Sequence, residues 1–144
     1  MGIFKFCKNV LRLDTKEIVS ITIENVNDKK AIELNQQQLI KGYDSNGNEM
    51  PEYSKRTKQI KAETGGFLSP SGLIALKDEG DFFNDMRVFK EPDFFALTSE
   101  DQKTNMLIDR YGKDVLGLTE KDSETIIQET RTKTIEEIEK RIYT

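Results

Sequence analysis

The feature that most constrains this chain is a series of short, turn-rich phrases that divide it into pieces. They read Gln38-Leu39-x-x-Gly42-x-Asp44-Ser45-x-Gly47, Tyr53-Ser54-x-x-Thr57, Leu76-x-Asp78-x-Gly80-Asp81-Phe82, and Tyr111-Gly112-x-x-Val115-Leu116-Gly117-Leu118-Thr119. Each makes local sense as a helix end, a turn or a helix start: glycine accepts the left-handed conformation that stops a helix, and Ser, Thr and Asp accept hydrogen bonds from the free N–H groups that open one. None assembles catalytic chemistry. A chain divided in this way folds from short helices and turns.

Between the phrases, residues 3–13 carry Ile3, Phe4, Phe6, Cys7, Val10, Leu11 and Leu13 at helical spacing, which predicts a short amphipathic helix. Asp14 or Thr15 opens a second segment containing Ile18, Val19, Ile21, Ile23 and Val26. Its Ile-Val-Ser-Ile-Thr-Ile run alternates as a strand would. Helix is preferred, because the boundary is not strand-like and helical segments lie on both sides. Asn27 caps a clearer helix over residues 28–41, with Ala31, Ile32, Leu34, Leu39 and Ile40 on one side and Gly42 as its stop. Residues 44–57 read as a long polar loop, followed by the basic run 55–61 and a second loop over 65–72.

Leu73 to Leu76 reads as a strand or a buried segment, and Asp78 to Asp85 as a capped helical turn. Residues 86–90 and 94–98, separated by Glu91-Pro92-Asp93, predict a β-hairpin. Ser99 is expected to cap a helix over 100–111 with Met106, Leu107 and Tyr111 facing inward. Thr119, with Asp122 three residues on, opens a last helix to about Arg141. The expected fold is α+β: one helix-rich domain over 27–144, with a small antiparallel sheet, a long C-terminal helix and an N-terminal helical extension over 1–26.

Composition excludes several classes of function. One cysteine forms no internal disulfide or cysteine-based zinc cage, and the absence of histidine removes the commonest general base and transition-metal ligand. Charged residues make up 33% of the chain and apolar ones 35%, so the core is modest and partner subunits are an expected source of stability. The net charge of -4, with signs interspersed, argues against a dedicated nucleic-acid surface. No run of about 18 apolar residues predicts a membrane span. The N-terminus lacks the uninterrupted apolar stretch and small-residue cleavage site of a secretory signal, and Phe6 stands where a myristoylation motif needs Ser or Thr.

Candidate sites are each set against a structural explanation. Asp44-x-Asn46-x-Asn48 begins like a calcium-binding EF-hand loop, but Glu49 and Lys55 occupy the places of the required Gly and Glu, so a polar turn is favoured. The glycine-rich 65–72 loop lacks the Gly-Lys-Ser/Thr ending of a phosphate-binding loop. Asp78, Glu79 and Asp81 beside Lys77 resemble the carboxylate cluster of a metal-dependent nuclease, although acidic residues at a helix start explain them without metal.

Lys55, Arg56, Lys58 and Lys61 place four positive charges within seven residues, a weak candidate for phosphate contact or docking on an acidic partner. No aromatic residues interleave with them to stack on bases. Of the five phenylalanines Phe82, Phe83, Phe89, Phe94 and Phe95, most are expected in the core and one or two exposed for a partner. In the last helix Ile127, Ile135, Ile138 and Ile142 form a thin stripe suited to its own domain or a neighbouring subunit. Glu136-Lys140 and Glu137-Arg141 support that helix as i,i+4 pairs. Cys7 reads as an inert buried thiol.

Taken in order, the phrases resemble the virion-morphogenesis, tail-completion and neck proteins of tailed bacteriophages, particularly the versions from phages of Bacteroidetes. The likeness runs over about residues 30–142. Leu76-Lys77-Asp78-Glu79-Gly80 stands where the family has Leu-x-Asp-Thr-Gly, with Glu79 replacing Thr. The resemblance implies a structural protein of the head–tail connector, neck or tail-completion ring, found in the virion after assembly in the host bacterial cytoplasm. It also implies self-association in a ring, portal or tail proteins as partners, incidental contact with packaged DNA, and no catalytic residue, cofactor, metal or membrane.

The contact elements expected on this reading are the 44–57 loop with Tyr53, the 65–72 loop with Phe67 and Leu68, and Ile135, Ile138 and Ile142 of the C-terminal helix. The alternative is a cytoplasmic accessory or nucleic-acid-binding regulatory protein of a mobile element. A third reading is a nuclease centred on Asp78 and Asp81.

Overall fold

Asn27 and Gly42 set the central element of the fold. The computed structural model describes residues 14–77 and 80–143. Helix α1 (Thr15–Glu24) is capped by the Asp14 carboxylate, which accepts from the Glu17 N–H. This settles the ambiguous Ile-Val-Ser-Ile segment as helix. Helix α2 (Asp28–Lys41) begins where the Asn27 side chain accepts from the Lys30 N–H and ends on Gly42 at φ 92°. The expected helix over 3–13 and Cys7 lie outside the described residues.

Helix α3 (Lys55–Thr64) corrects the reading of 44–57 as loop and of 55–61 as a loop segment. Ser54 Oγ accepts from the Thr57 N–H at 3.1 Å and caps it. Lys, Arg, Gln, Ala and Glu then follow as good helix formers until Gly65 stops the run. The polar composition marks a helix with no buried residue rather than a loop.

Leu73 to Ala75 forms no strand. Leu73 makes one isolated bridge to Glu52, while Ala75 and Leu76 are buried. The four-residue helix α4 (Asp81–Asn84) has Gly80 in its cap position without a side-chain cap; Asp81 is its first helical residue, and Asp78 and Glu79 lie outside the described residues.

Strands β1 (Met86–Glu91) and β2 (Phe94–Ser99) form the expected antiparallel hairpin, with Met86 opposite Ser99 and Glu91 opposite Phe94. Ser99 therefore ends a strand and does not cap a helix. Its hydroxyl donates to the Phe82 carbonyl at 2.9 Å, and α5 (Thr104–Tyr111) starts later than the pattern suggests. Met106 points outward and is 58% exposed, while Leu107 and Tyr111 are partly buried in the core. A 3-10 turn (Lys113–Val115) leads to α6 (Glu120–Tyr143), where Thr119 Oγ1 accepts from the Asp122 N–H as expected. The result is an α+β fold with six α-helices and one two-stranded sheet among the described residues.

Two apolar clusters form the core. One gathers Leu39, Met50, Leu76, Phe82, Phe83, Met86 and Val115; the other gathers Val26, Ala31, Leu97 and Ile126. Helix α2 contributes to both, and Ile32 packs against both. The hairpin spans them too, with Met86 in the first and Leu97 in the second.

Helix α6 packs along α1 and touches α2. Its buried residues Ile126, Thr130 and Thr134 recur every four residues, and Ile126 sits in the second cluster with Val26, Ala31 and Leu97. Of the isoleucine stripe, Ile127 (57% exposed) and Ile135 (45% exposed) face solvent rather than their own domain, while Ile138 and Ile142 are half-buried. Each step along a helix turns a side chain by about 100°, so a neighbour of a buried residue faces elsewhere. Arg141 meets Glu17 of α1 at 2.6 Å and Glu137 at 3.5 Å.

Two amides buried on α2 tie it to the segment before α6. Asn35, 0% exposed, donates from Nδ2 to the Val115 carbonyl at 3.1 Å and accepts from the Gly117 N–H at 3.1 Å. Gln38 donates to the Gly117 carbonyl at 3.3 Å and accepts from the Thr119 N–H at 3.2 Å. Replacing Asn35 with Ala strands a buried carbonyl and a buried N–H. Asn35→Ala is expected to lower stability by about 2–4 kcal/mol, measured as an earlier urea midpoint at unchanged slope.

Candidate functional site

The described residues of the four phrases, spread from Gln38 to Thr119, adjoin in space. Gln38 and Asn35 hold residues 115–119, as described above. The following turn is joined to the same connector: the Ser45 N–H donates to the Asp114 carbonyl at 2.8 Å, and Asn46 Nδ2 donates to Asp114 Oδ2 at 2.8 Å. Within that turn Asp44 Oδ1 accepts from the N–H groups of Asn46 and Asn48, both at 2.9 Å, so its carboxylate organises a local turn. Among the described residues no group of three or more His, Cys, Asp or Glu is placed to hold a metal ion.

The second phrase joins the loop that follows α3. The Tyr53 N–H donates to the Gly72 carbonyl at 3.2 Å, and the Ile74 N–H donates to the Pro51 carbonyl at 2.8 Å. The Tyr53 hydroxyl accepts from the Ala75 N–H at 3.3 Å. Residues 51–53 and 72–75 thus run together as a short paired ladder.

That ladder forms one wall of an open groove of about 740 Å³. Helix α3 lies along it with Thr57 and Lys61, and α5 forms the opposite wall with Met106, Leu107, Arg110 and Tyr111. Ile74, Leu76 and Phe82 supply further apolar lining. The charges mix in sign: Lys61, Lys77, Lys103 and Arg110 accompany Glu52, Asp81 and Asp101. Two cations stand over rings that themselves line the groove, Lys61 Nζ 5.1 Å from the centre of Tyr53 and the Arg110 guanidinium 5.5 Å from that of Tyr111. Asp101 Oδ2 is buried without a hydrogen-bond partner. Aromatic and aliphatic area rimmed by charges of both signs suits a segment of another protein.

The structure brings together only part of the expected set. Tyr53 and Lys61 line the groove. Phe67 stands beside it, with Lys77 Nζ 5.0 Å from its ring centre, and Leu68 is exposed on the same loop without lining the groove. Lys58 lies next to Glu52 at 3.8 Å, and Lys55 and Arg56 are exposed on α3. On α3 the i,i+3 spacing makes Lys55, Lys58 and Lys61 neighbours along one side, with Arg56 turned away from them. Ile135, Ile138 and Ile142 belong to α6 and do not line the groove. The α5 wall was missed as a surface because its spacing of Met106, Leu107, Arg110 and Tyr111 reads equally as a face turned to the core.

No family model matches the chain, and no curated protein or solved structure matches it either.

The joint between the phrases is tight at Gly42. Besides its φ of 92°, a Cβ there would lie 2.5 Å from Leu73 Cδ1 and 2.7 Å from Leu73 Cβ, whereas one at Gly47, with φ 80°, would meet nothing within 4 Å. Gly47→Ala is expected to cost about 1–2 kcal/mol from backbone strain alone, and Gly42→Ala about 3 kcal/mol or more. Parallel thermal or urea melts of the two variants check the difference.

Proposed function

We propose that the chain is a structural protein of a tailed-bacteriophage virion, part of the head–tail connector, neck or tail-completion ring, acting by self-association and docking on neighbouring virion proteins. The observation that carries the reading is the set of ordered phrases and its resemblance to that family's. Two structural features support it. The phrases are the points at which distant parts of the chain are tied together, so their spacing follows from one scaffold. The scaffold presents an open groove with aromatic and aliphatic walls. Of the expected contact residues, Tyr53 lines this groove, beside Pro51, Glu52 and Ser54.

On this reading the molecule is not an enzyme, and its chemistry is that of assembly. Copies arranged head to tail around an axis bury the same two different surfaces at every joint, and the ring closes when the rotation per copy divides the circle. The groove is one such surface. Exposed Met106 on its rim is suited to the work: its unbranched thioether adapts to irregular partner shapes.

Light scattering over a range of concentrations, with and without the portal and tail proteins of the same virion, tests the assignment. A multimer of ring size, alone or on addition of partners, is the expected outcome. A well-folded monomer that ignores those proteins would overturn it. Met106→Glu places a charge on an exposed position and is expected to leave the unfolding free energy from urea melts within about 0.5 kcal/mol of the parent, while abolishing assembly or docking.

A further inference from the structure

The outer face of the hairpin carries a pattern that the fold does not use. Met86, Val88, Phe95 and Leu97 turn inward to the two clusters. The alternate positions face the other way, and there Phe89 is 50% and Phe94 48% exposed. Their rings lie 6.4 Å apart across the strands, tilted by 50°. The solvent face of a small antiparallel sheet is ordinarily polar, and a paired aromatic patch on it marks a contact surface.

The charges on this face identify the occupant. Outward-facing positions of β1 read Arg87, Phe89, Glu91: positive, apolar, negative at intervals of two residues. At about 3.3 Å per residue the two charges stand about 13 Å apart with the ring midway. A two-fold axis across the strands, passing by Phe89 and the Ala96 opposite it, carries each charge onto its opposite. Arg87 of one copy then faces Glu91 of the other, twice. Phe89 meets its own symmetry mate, and Phe94, which pairs with Glu91, meets Thr98, which pairs with Arg87. The face is its own electrostatic complement.

Both charges are accessible. Arg87 Nη1 donates to the carbonyls of Asn84 at 3.0 Å and Met86 at 2.8 Å, and its Nε lies 4.0 Å from Glu100 Oε2, yet half of its side chain faces solvent. Glu91 is exposed at the hairpin end.

We infer that this face is an isologous contact between two copies of the chain, paired face to face about Phe89. The inference is independent of the virion reading and of the groove. Two strands of six residues present on the order of 300 Å² per copy, against about 800 Å² in a stable interface. The pair is accordingly weak and reversible, and forms at high protein concentration or where copies are held near one another.

Sedimentation velocity on the full chain from about 10 to about 500 µM tests it. The parent is expected to show a reversible monomer–dimer equilibrium. Arg87→Glu and Glu91→Arg, each placing like charges opposite one another, are expected to weaken it about tenfold or more, and the double swap to restore it to within about threefold. Phe89→Ser is expected to abolish it. All three positions changed are exposed in each copy, and circular dichroism checks that the variants fold. A parent that stays monomeric over the whole range would overturn the inference. So would a dimer indifferent to the single swaps, or one that the double swap fails to rescue. A larger oligomer unaffected by the swaps would overturn it as well while leaving the ring reading intact; a swap-sensitive dimer that ignores virion proteins would do the reverse.

Discussion

The fold depends on two amides at the centre of α2. Asn35 and Gln38 each use a donor and an acceptor on the backbone of residues 115–119, and so treat that segment much as a neighbouring strand would. A buried amide with its hydrogen bonds made contributes modestly, but one left unmade costs the full desolvation of the group. The arrangement therefore fixes register: a shift of the connector by one residue would leave four polar groups without partners. Because the connector leads directly into α6, the same bonds fix where the long helix begins. Val115, fully buried in the first cluster, and Ile126, in the second, are placed on either side of that joint.

A second tie holds the other end of α2. Lys90, on the inner face of β1, reaches Asp28 Oδ1 at 2.8 Å and the carbonyls of Val26 at 2.9 Å and Glu24 at 3.3 Å. Those carbonyls lie at the end of α1 and the turn beyond, where a helix leaves acceptors unsatisfied and favours a cation. One ammonium thus joins α1, the start of α2 and the hairpin. A two-stranded sheet is marginal alone; here the hairpin gains its stability from two apolar clusters and this polar clamp, with its outer face left open.

What was legible in the sequence was local. Asn27 and Gly42 bounded α2 because a cap and a left-handed stop act within four residues, and Thr119 with Asp122 marked α6 for the same reason. The hairpin was legible from its Pro92-Asp93 turn and β-rich flanks. Ser54 is an equally good cap for α3, but nothing apolar recurs in the basic run after it to mark a helix. On α6 the adjacent Ile126 and Ile127 cannot be told apart by spacing alone; Val26, Ala31 and Leu97 cover Ile126 and leave Ile127 exposed. Of the candidate site, Tyr53 and Lys61 were found, whereas the α5 wall was read as core. Asn35 and Gln38 were invisible as structural residues, since their partners lie about eighty residues away.

That separation has a consequence for synthesis. A growing chain that has not yet reached Val115 carries α2 with two amides that have nothing to hold and an apolar face with only part of its cover. Loop closure over such distances comes before the contacts that reward it, which slows folding. The first four-fifths of the molecule then has its helix caps, its hairpin and part of its first cluster to hold it, but not the connector. Completion is then abrupt: once residues 115–119 emerge, the connector docks, α6 is seated against α1, and Arg141 closes on Glu17 across the whole length of the described chain.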